Sequence, residues 1–235
     1  MSSTSLLPTP LWFTLTGFGG VAVTIPVALA IAAWLAAGMR LRAAVEWLAA
    51  LALAGALTIA TKIAFLGWGV GIRRIDFTGI SGHAVLSTLV FPVMFSVVLI
   101  NAPIVVRRAS FLVGLGFGLA IGASRVVVRA HSISEIVAGC ALGALFACVF
   151  VSRLEARPAP SEPTPHPILV SLSLVALIGA LHGVHVPTQR WVTSIALDLS
   201  GHERPFIRAR WHRDGRATSR LVDDLTAIHA RGPTS

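Results

Sequence analysis

The charged residues of this 235-residue chain are few and gathered into short clusters, and the gaps between clusters are long apolar runs. A helix needs about 20 consecutive, mostly apolar residues to cross the hydrocarbon layer of a membrane. Several of the gaps reach that length. Charged residues make up 12% of the chain and hydrophobic ones 55%, with a mean hydropathy of +0.80. A soluble domain carries about twice that share of charge. These features exclude a soluble domain and predict an all-α, polytopic membrane helical bundle.

About six transmembrane helices are expected, at approximately 12–37, 43–66, 82–101, 109–128, 133–152 and 167–186. Turn and charge signals separate them: Gly38 to Arg42, Gly67 to Ser81, Asn101 to Arg108, Arg129 to Ser132, and a linker carrying Pro158, Pro160, Pro163 and Pro165. The bundle thus occupies residues 1–186, and 187–235 form a polar, arginine-rich tail in which Trp191 to Leu199 reads as a short interfacial helix. The first eleven residues hold no basic segment, so a cleavable signal peptide is not expected. Small residues crowd two spans, at Gly114, Gly116, Gly118 and Gly122, then at Ala138, Gly139, Ala141 and Gly143. Such residues let helix backbones approach closely, so tight packing is expected there.

The net charge of +9 is almost wholly arginine, since Lys62 is the only lysine. The arginines flank spans and fill a tail, a reading preferred to nucleic acid as a partner. Such placement is expected beside anionic lipid headgroups, so the partners are the lipid bilayer and its lipids. Cys140 and Cys148 fall within one span and cannot bridge each other along a straight helix; both are expected to be small buried residues. His182 and His185 have the spacing of a metal pair but no third ligand nearby in sequence, so they read as interfacial histidines.

With six spans the termini share one membrane face with the loops at 67–81 and 129–132. The opposite face carries Arg40, Arg42, Arg107, Arg108, Arg153 and Arg157 in its loops. Arginine in short loops favours the cytoplasm, and long tails weigh less. An integral protein of a bacterial inner membrane is expected, its first-named loops facing the periplasm or exterior.

Those two loops hold the polar residues that need an explanation. Ser81-Gly82-His83 opens a span, and a helix N-terminus presents free N–H groups and a positive dipole end to an anion. Arg125, after Ser124, closes the fourth span, and its guanidinium is a planar fork of donors suited to phosphate oxygens. His131 and Glu135 stand four apart at the start of the fifth, and if both are helical they share a face. There the carboxylate can fix one imidazole nitrogen and raise the basicity of the other. Ser132 and Glu135 also fit a capping box, a second use for the same carboxylate. Lys62 ends the second span, placed either to snorkel or to reach a phosphate together with Arg73 or Arg74.

A lysine-arginine segment, then S-G-H, then S-R-x5-H-x3-E resembles the three motifs of the type-2 phosphatidic acid phosphatase superfamily, which also includes the vanadium haloperoxidases. The motifs cover about residues 62–135. Three positions depart from the pattern: Gly69 stands where an arginine is usual, Ile80 where proline is usual, and Glu135 where aspartate is usual. The resemblance implies hydrolysis of a membrane lipid phosphate or diphosphate, without metal or other cofactor, through a phosphohistidine. His131 would be the nucleophile, Glu135 its orienting carboxylate and His83 the acid and base. Lys62, Arg73 or Arg74, Ser81, Gly82, Ser124 and Arg125 would hold the phosphoryl oxygens. The haloperoxidases are typically soluble, unlike this chain. The competing reading is a non-catalytic lipid-phosphate-binding or transport protein derived from the same family, although transporters usually place their charges near the midplane.

Overall fold

The computed structural model describes residues 9–38, 40–157, 167–184 and 186–209. The proline linker, His185 and the tail beyond 209 lie outside the described residues. Eight helices follow in order: α1 Thr9–Phe18, α2 Val21–Ala37, α3 Leu41–Trp68, α4 Gly82–Val98, α5 Ile104–Val127, α6 Ile133–Glu155, α7 Pro167–Leu181 and α8 Thr188–Ser200. No strand forms among the described residues beyond one isolated bridge between Ile72 and Phe77.

Among the described residues four stretches are long and apolar enough to cross a membrane: Pro10–Ala37, Leu41–Trp68, Ile104–Val127 and Ile133–Glu155. They fit an integral membrane protein. The expected six is not reached by length and composition, because α4 has 17 residues and α7 has 15. Twelve residues of α4 are buried, so protein rather than lipid surrounds it and its length need not match the bilayer. The first stretch is also not one uninterrupted helix. It breaks at Gly19 and Gly20, the residues least suited to a helix interior after proline.

Helix α4 is the axis of the bundle, and the small-residue faces of α5 and α6 both close on it. A Cβ at Gly118 would stand 2.7 Å from the Ser87 carbonyl oxygen, and one at Gly114 the same distance from that of Phe91. On the other side a Cβ at Gly139 would meet Ala84 and the Ser81 carbonyl at 2.9 Å. Larger residues would push α5 and α6 off α4 and part the helix ends that carry the site. Cys140 is buried, whereas Cys148 is exposed, a correction to the expectation of two buried thiols: two turns further along, it falls on the outer face of α6.

Residues 188–208 of the polar stretch belong to the packed body. Val192 and Ala196 of α8 are buried, and α8 lies along α3. Beyond Gly201 the chain folds back over the end of α3, whose last carbonyls lack helical donors. His202 Nδ1 donates to the Gly67 carbonyl at 2.8 Å, and the Phe206 amide donates to that of Leu66 at 2.9 Å. We refer to residues 202–208 as the strap.

Candidate active site

The ends of α3 and α5, the starts of α4 and α6, and the strap meet at one end of the bundle. Helix α3 finishes at Gly69, in the left-handed conformation (φ +70°) that glycine adopts without strain. A single 3-10 turn, Arg73–Ile75, then leads to Gly79, whose φ of +146° lets the loop cross the Lys62 backbone; a Cβ there would come within 3.3 Å of Lys62 Cα. Ser81 takes the N-cap position of α4, and its amide donates to the Glu135 carbonyl at 3.3 Å, tying the starts of α4 and α6 together.

Glu135 is fully buried and organises the site. Its Oε2 accepts from His131 Nδ1 at 2.7 Å and from the Ser132 amide at 3.2 Å. The Glu135 amide in turn donates to Ser132 Oγ at 3.4 Å, so the capping box and the histidine contact coexist on one carboxylate. Oε1 accepts from the Thr78 amide at 2.8 Å, Thr78 Oγ1 at 2.6 Å and Arg208 Nη2 at 2.5 Å. Because a carboxylate held by donors can only accept, His131 keeps its proton on Nδ1 and leaves the Nε2 lone pair free. Burial pushes the His131 imidazole below its ordinary value, more than the Glu135 hydrogen bond lifts it. It is therefore neutral, and nucleophilic, at neutral pH.

Two cavities adjoin this histidine. One, of about 520 Å³, is bordered by Lys62, Thr78, Arg125, His131, Phe206 and Arg208. The other, of about 340 Å³, shares Lys62, Arg125, His131 and Gln189 with it, adds Gly82 and His83, and extends along apolar side chains that include Val21, Ile25, Leu51 and Ile59. A cationic chamber thus continues into a greasy one with His131 at their junction. The His83 ring lies beside Gly19 and Gly20, where a Cβ on Gly19 would approach it to 3.4 Å. The break between α1 and α2 makes room for it.

Arg125 Nη1 donates to Thr16 Oγ1 at 3.0 Å, while its Nε is buried with no partner among the described residues, as is Ser81 Oγ. Buried donors without acceptors are rare, and a phosphoryl oxygen can satisfy both. Ser124 is buried as well, but its hydroxyl is already spent on the Ile121 carbonyl at 2.6 Å and it borders neither cavity.

The structure therefore brings together Lys62, Gly82, His83, Arg125, His131 and Glu135, with Ser81 at the helix start beside them. It does not bring in Arg73 or Arg74, which sit exposed on the 3-10 turn and border neither cavity. Arg208 stands on the cavity wall in their place, with its Nε 3.5 Å from Asp76 Oδ1. Sequence reasoning missed Arg208, Thr78, Thr16 and Gln189. The one local signal was Phe206-Ile207, an apolar pair in a polar tail beside the arginine. Position 69 also becomes intelligible. Phe206 covers Gly69, and a Cβ there would lie 2.9 Å from its ring, so a larger residue is excluded by both backbone and neighbour.

His182, considered above as a metal-pair histidine, has Nε2 3.1 Å from the Thr14 carbonyl and its ring 4.4 Å from that of Phe18, pinning α1 to α7.

Residues 74–158 match the family model of the PAP2 superfamily, a stretch that holds every motif residue from Ser81 to Glu135 but not Lys62. A Klebsiella pneumoniae protein named "Uncharacterized 22.5 kDa protein in cps region" is 34% identical over 205 residues, covering 86% of this chain and 98% of its own length. No solved structure matches the chain.

Proposed function

Because the chain belongs to the PAP2 superfamily, we propose that it is a metal-independent phosphatase of a membrane lipid phosphate or diphosphate, working through a phosphohistidine. The observation that carries this reading is His131, fixed through Nδ1 by Glu135 at 2.7 Å, at the junction of the cationic and apolar cavities. A phosphate headgroup fits the first cavity while its hydrocarbon chain extends along the second.

His131 Nε2 attacks phosphorus, the bond from phosphorus to the ester or bridging oxygen breaks, and His83 gives its proton to the departing oxygen. His83 then takes a proton from water, whose oxygen attacks the phosphohistidine. The phosphorus–nitrogen bond breaks, inorganic phosphate leaves, and both imidazoles return to their starting state. Lys62, Arg125, Ser81 Oγ and the Gly82 amide hold the phosphoryl oxygens, charge stabilisation being the main means of lowering the barrier in phosphoryl transfer. Thr78 and Arg208 are positioning residues, which act by holding Glu135. With the arginine-bearing loops 38–42, 101–108 and 153–157 in the cytoplasm, the site opens to the periplasm or exterior of a bacterial inner membrane.

The test is phosphate release from a panel of lipid phosphates and diphosphates by detergent-purified protein in excess EDTA, compared with His131→Ala. Release by the wild type that is lost in the variant supports the reading. If the folded wild type binds the lipids and releases nothing, the protein is a binder rather than an enzyme.

A further inference from the structure

The end of the bundle opposite His131 holds a second polar cavity, of about 300 Å³, where the α2–α3 link, the start of α5 and the end of α6 come together beneath the last turn of α4. Its wall carries three arginines, Arg40, Arg107 and Arg157, against a single carboxylate, Glu155. The neighbouring charges do not restore balance. Arg107 Nη2 pairs with Glu155 at 3.3 Å, and Arg108 approaches the same carboxylate at 3.8 Å. Arg157 Nη2 pairs with Glu46 at 2.6 Å, and Arg42 shares that glutamate at 3.2 Å.

Among the described residues five guanidinium groups thus meet two carboxylates, and Arg40 takes part in no ion pair. Its Nε is buried without a partner among the described residues, as is Arg157 Nη1. Burial, with Arg107 and Arg157 close by, also depresses the Arg40 guanidinium from its ordinary value. Two buried donors facing one chamber, in an excess of positive charge, are arranged for an acceptor with several oxygens. Asn101 and Ser96 add polar groups to the same wall.

The cavity does not end in protein. Val151 and Glu155 also border a groove of about 320 Å³ that runs outwards along Phe111, Leu112 and Cys148 between α5 and α6. Leu112 and Cys148 are exposed there. A headgroup in the cavity would have its chain directed along this groove. Basic pockets between spanning helices are a common way of holding anionic lipid headgroups.

We propose that Arg40, Arg107 and Arg157 form a second phosphate-binding site, on the membrane face opposite the catalytic one, which takes the phosphodiester of an anionic phospholipid or, by the same chemistry, free phosphate. The site is independent of the reading of His131, because it uses none of the same residues.

The experiment is thermal unfolding of detergent-purified protein in an Arg125→Gln background, which weakens anion binding at the catalytic cavity. It is run with inorganic phosphate, with phosphatidylglycerol and with phosphatidylcholine. Phosphatidylglycerol is expected to raise the unfolding temperature where phosphatidylcholine does not. Adding Arg40→Gln should weaken that effect about 10-fold or more in ligand concentration, the loss of one charge-assisted hydrogen bond. Arg40 has no ion pair among the described residues to lose, so Arg40→Gln without ligand should unfold no earlier than its parent. Ala102→Trp, which fills the cavity without removing a charge, should abolish the response in the same way.

An equal, Arg40-dependent response to inorganic phosphate would identify free phosphate as the occupant and still support the site. A response that survives both variants, or no response to either phosphate, would overturn it.

Discussion

Replacing Arg208 with alanine takes one charge-assisted hydrogen bond from a carboxylate that has no access to solvent. Breaking a buried ion pair costs about 3–5 kcal/mol when the remaining charge is stranded. Here the cost falls lower, because Glu135 Oε1 keeps both Thr78 donors and the Arg208 side chain is 31% exposed in the intact protein. A loss of about 2 kcal/mol, within the range for hydrogen bonds to charged groups, corresponds to about a 30-fold fall in rate. Since Arg208 acts through Glu135 on His131, the fall belongs in kcat more than in KM. Arg208→Lys keeps the charge but not the fork and should recover part of it.

The pH profile separates positioning from general weakening. With Arg208 gone, the Glu135 charge is shared with one cation fewer and stabilises the His131 imidazolium more strongly. The imidazolium then persists to higher pH, and the acid limb of kcat/KM moves upward. A merely structural defect lowers the whole profile without moving the limb. Phe206→Ala should reproduce both effects while leaving every charge in place, because Phe206 seats the strap on Gly69 and Leu66. The assay is initial phosphate release from a short-chain lipid phosphate between about pH 5 and 8, a range spanning the ordinary histidine value, with unfolding temperature measured alongside. If Arg208→Ala keeps kcat within threefold of wild type and its acid limb does not move, the strap is a passive cap and the reasoning fails.

In the proposed mechanism the neutral form of His131 is the nucleophile, and burial lowers its pKa, so wild-type kcat/KM should stay level as pH falls through about 6.5, the ordinary histidine value; an acid limb centred above that value would contradict it. Gly69→Arg, which restores the residue usual in this family at that position, should impair the protein, adding about 1–2 kcal/mol of left-handed strain and displacing Phe206. Earlier unfolding and lower kcat/KM are expected, and a gain in either would refute the account of Gly69. Gly55 borders the apolar cavity with nothing within 4 Å of an added Cβ, so Gly55→Phe should be folded but obstructed. Excluding two or three methylenes at about 0.8 kcal/mol each raises KM for long-chain substrates about 15- to 60-fold, while a short-chain lipid phosphate should be turned over as before.

What could be read from the sequence was what is local in the chain. His131 and Glu135 are near in the chain, but not as two residues of one helix: α6 begins at Ile133, and His131, just before the N-cap Ser132, reaches Glu135 in the first turn from outside the helix. The serine of S-G-H takes the N-cap position of α4, although its hydroxyl makes no capping bond. The long apolar runs announced the bundle, although counting them overstated how many reach spanning length, since α4 is apolar from burial among helices rather than from contact with lipid. Arg208 was illegible because 73 residues separate it from Glu135 and no period or motif links them. Thr78, 57 residues before Glu135, was hidden in the same way, inside a segment that read only as a turn. Arg73 and Arg74 show the converse: nearness in sequence to Lys62 suggested a shared task, but on the 3-10 turn both are exposed and border neither cavity.

Two of the three departures from the family pattern, Gly69 and Glu135, make sense as one change. Glycine at position 69 lets α3 end in a left-handed turn and leaves a surface on which Phe206 can sit. Seating Phe206 brings the strap across the end of α3 and delivers Arg208 to the cavity wall. There its guanidinium meets Glu135, whose carboxylate extends one methylene further from the backbone than the usual aspartate and binds Arg208 and Thr78 with one oxygen while the other holds His131. Gly69, the strap and the longer carboxylate therefore depend on one another. Shortening Glu135 to aspartate should cost activity here even though aspartate is the usual residue, because the shorter side chain cannot reach the arginine and the histidine together.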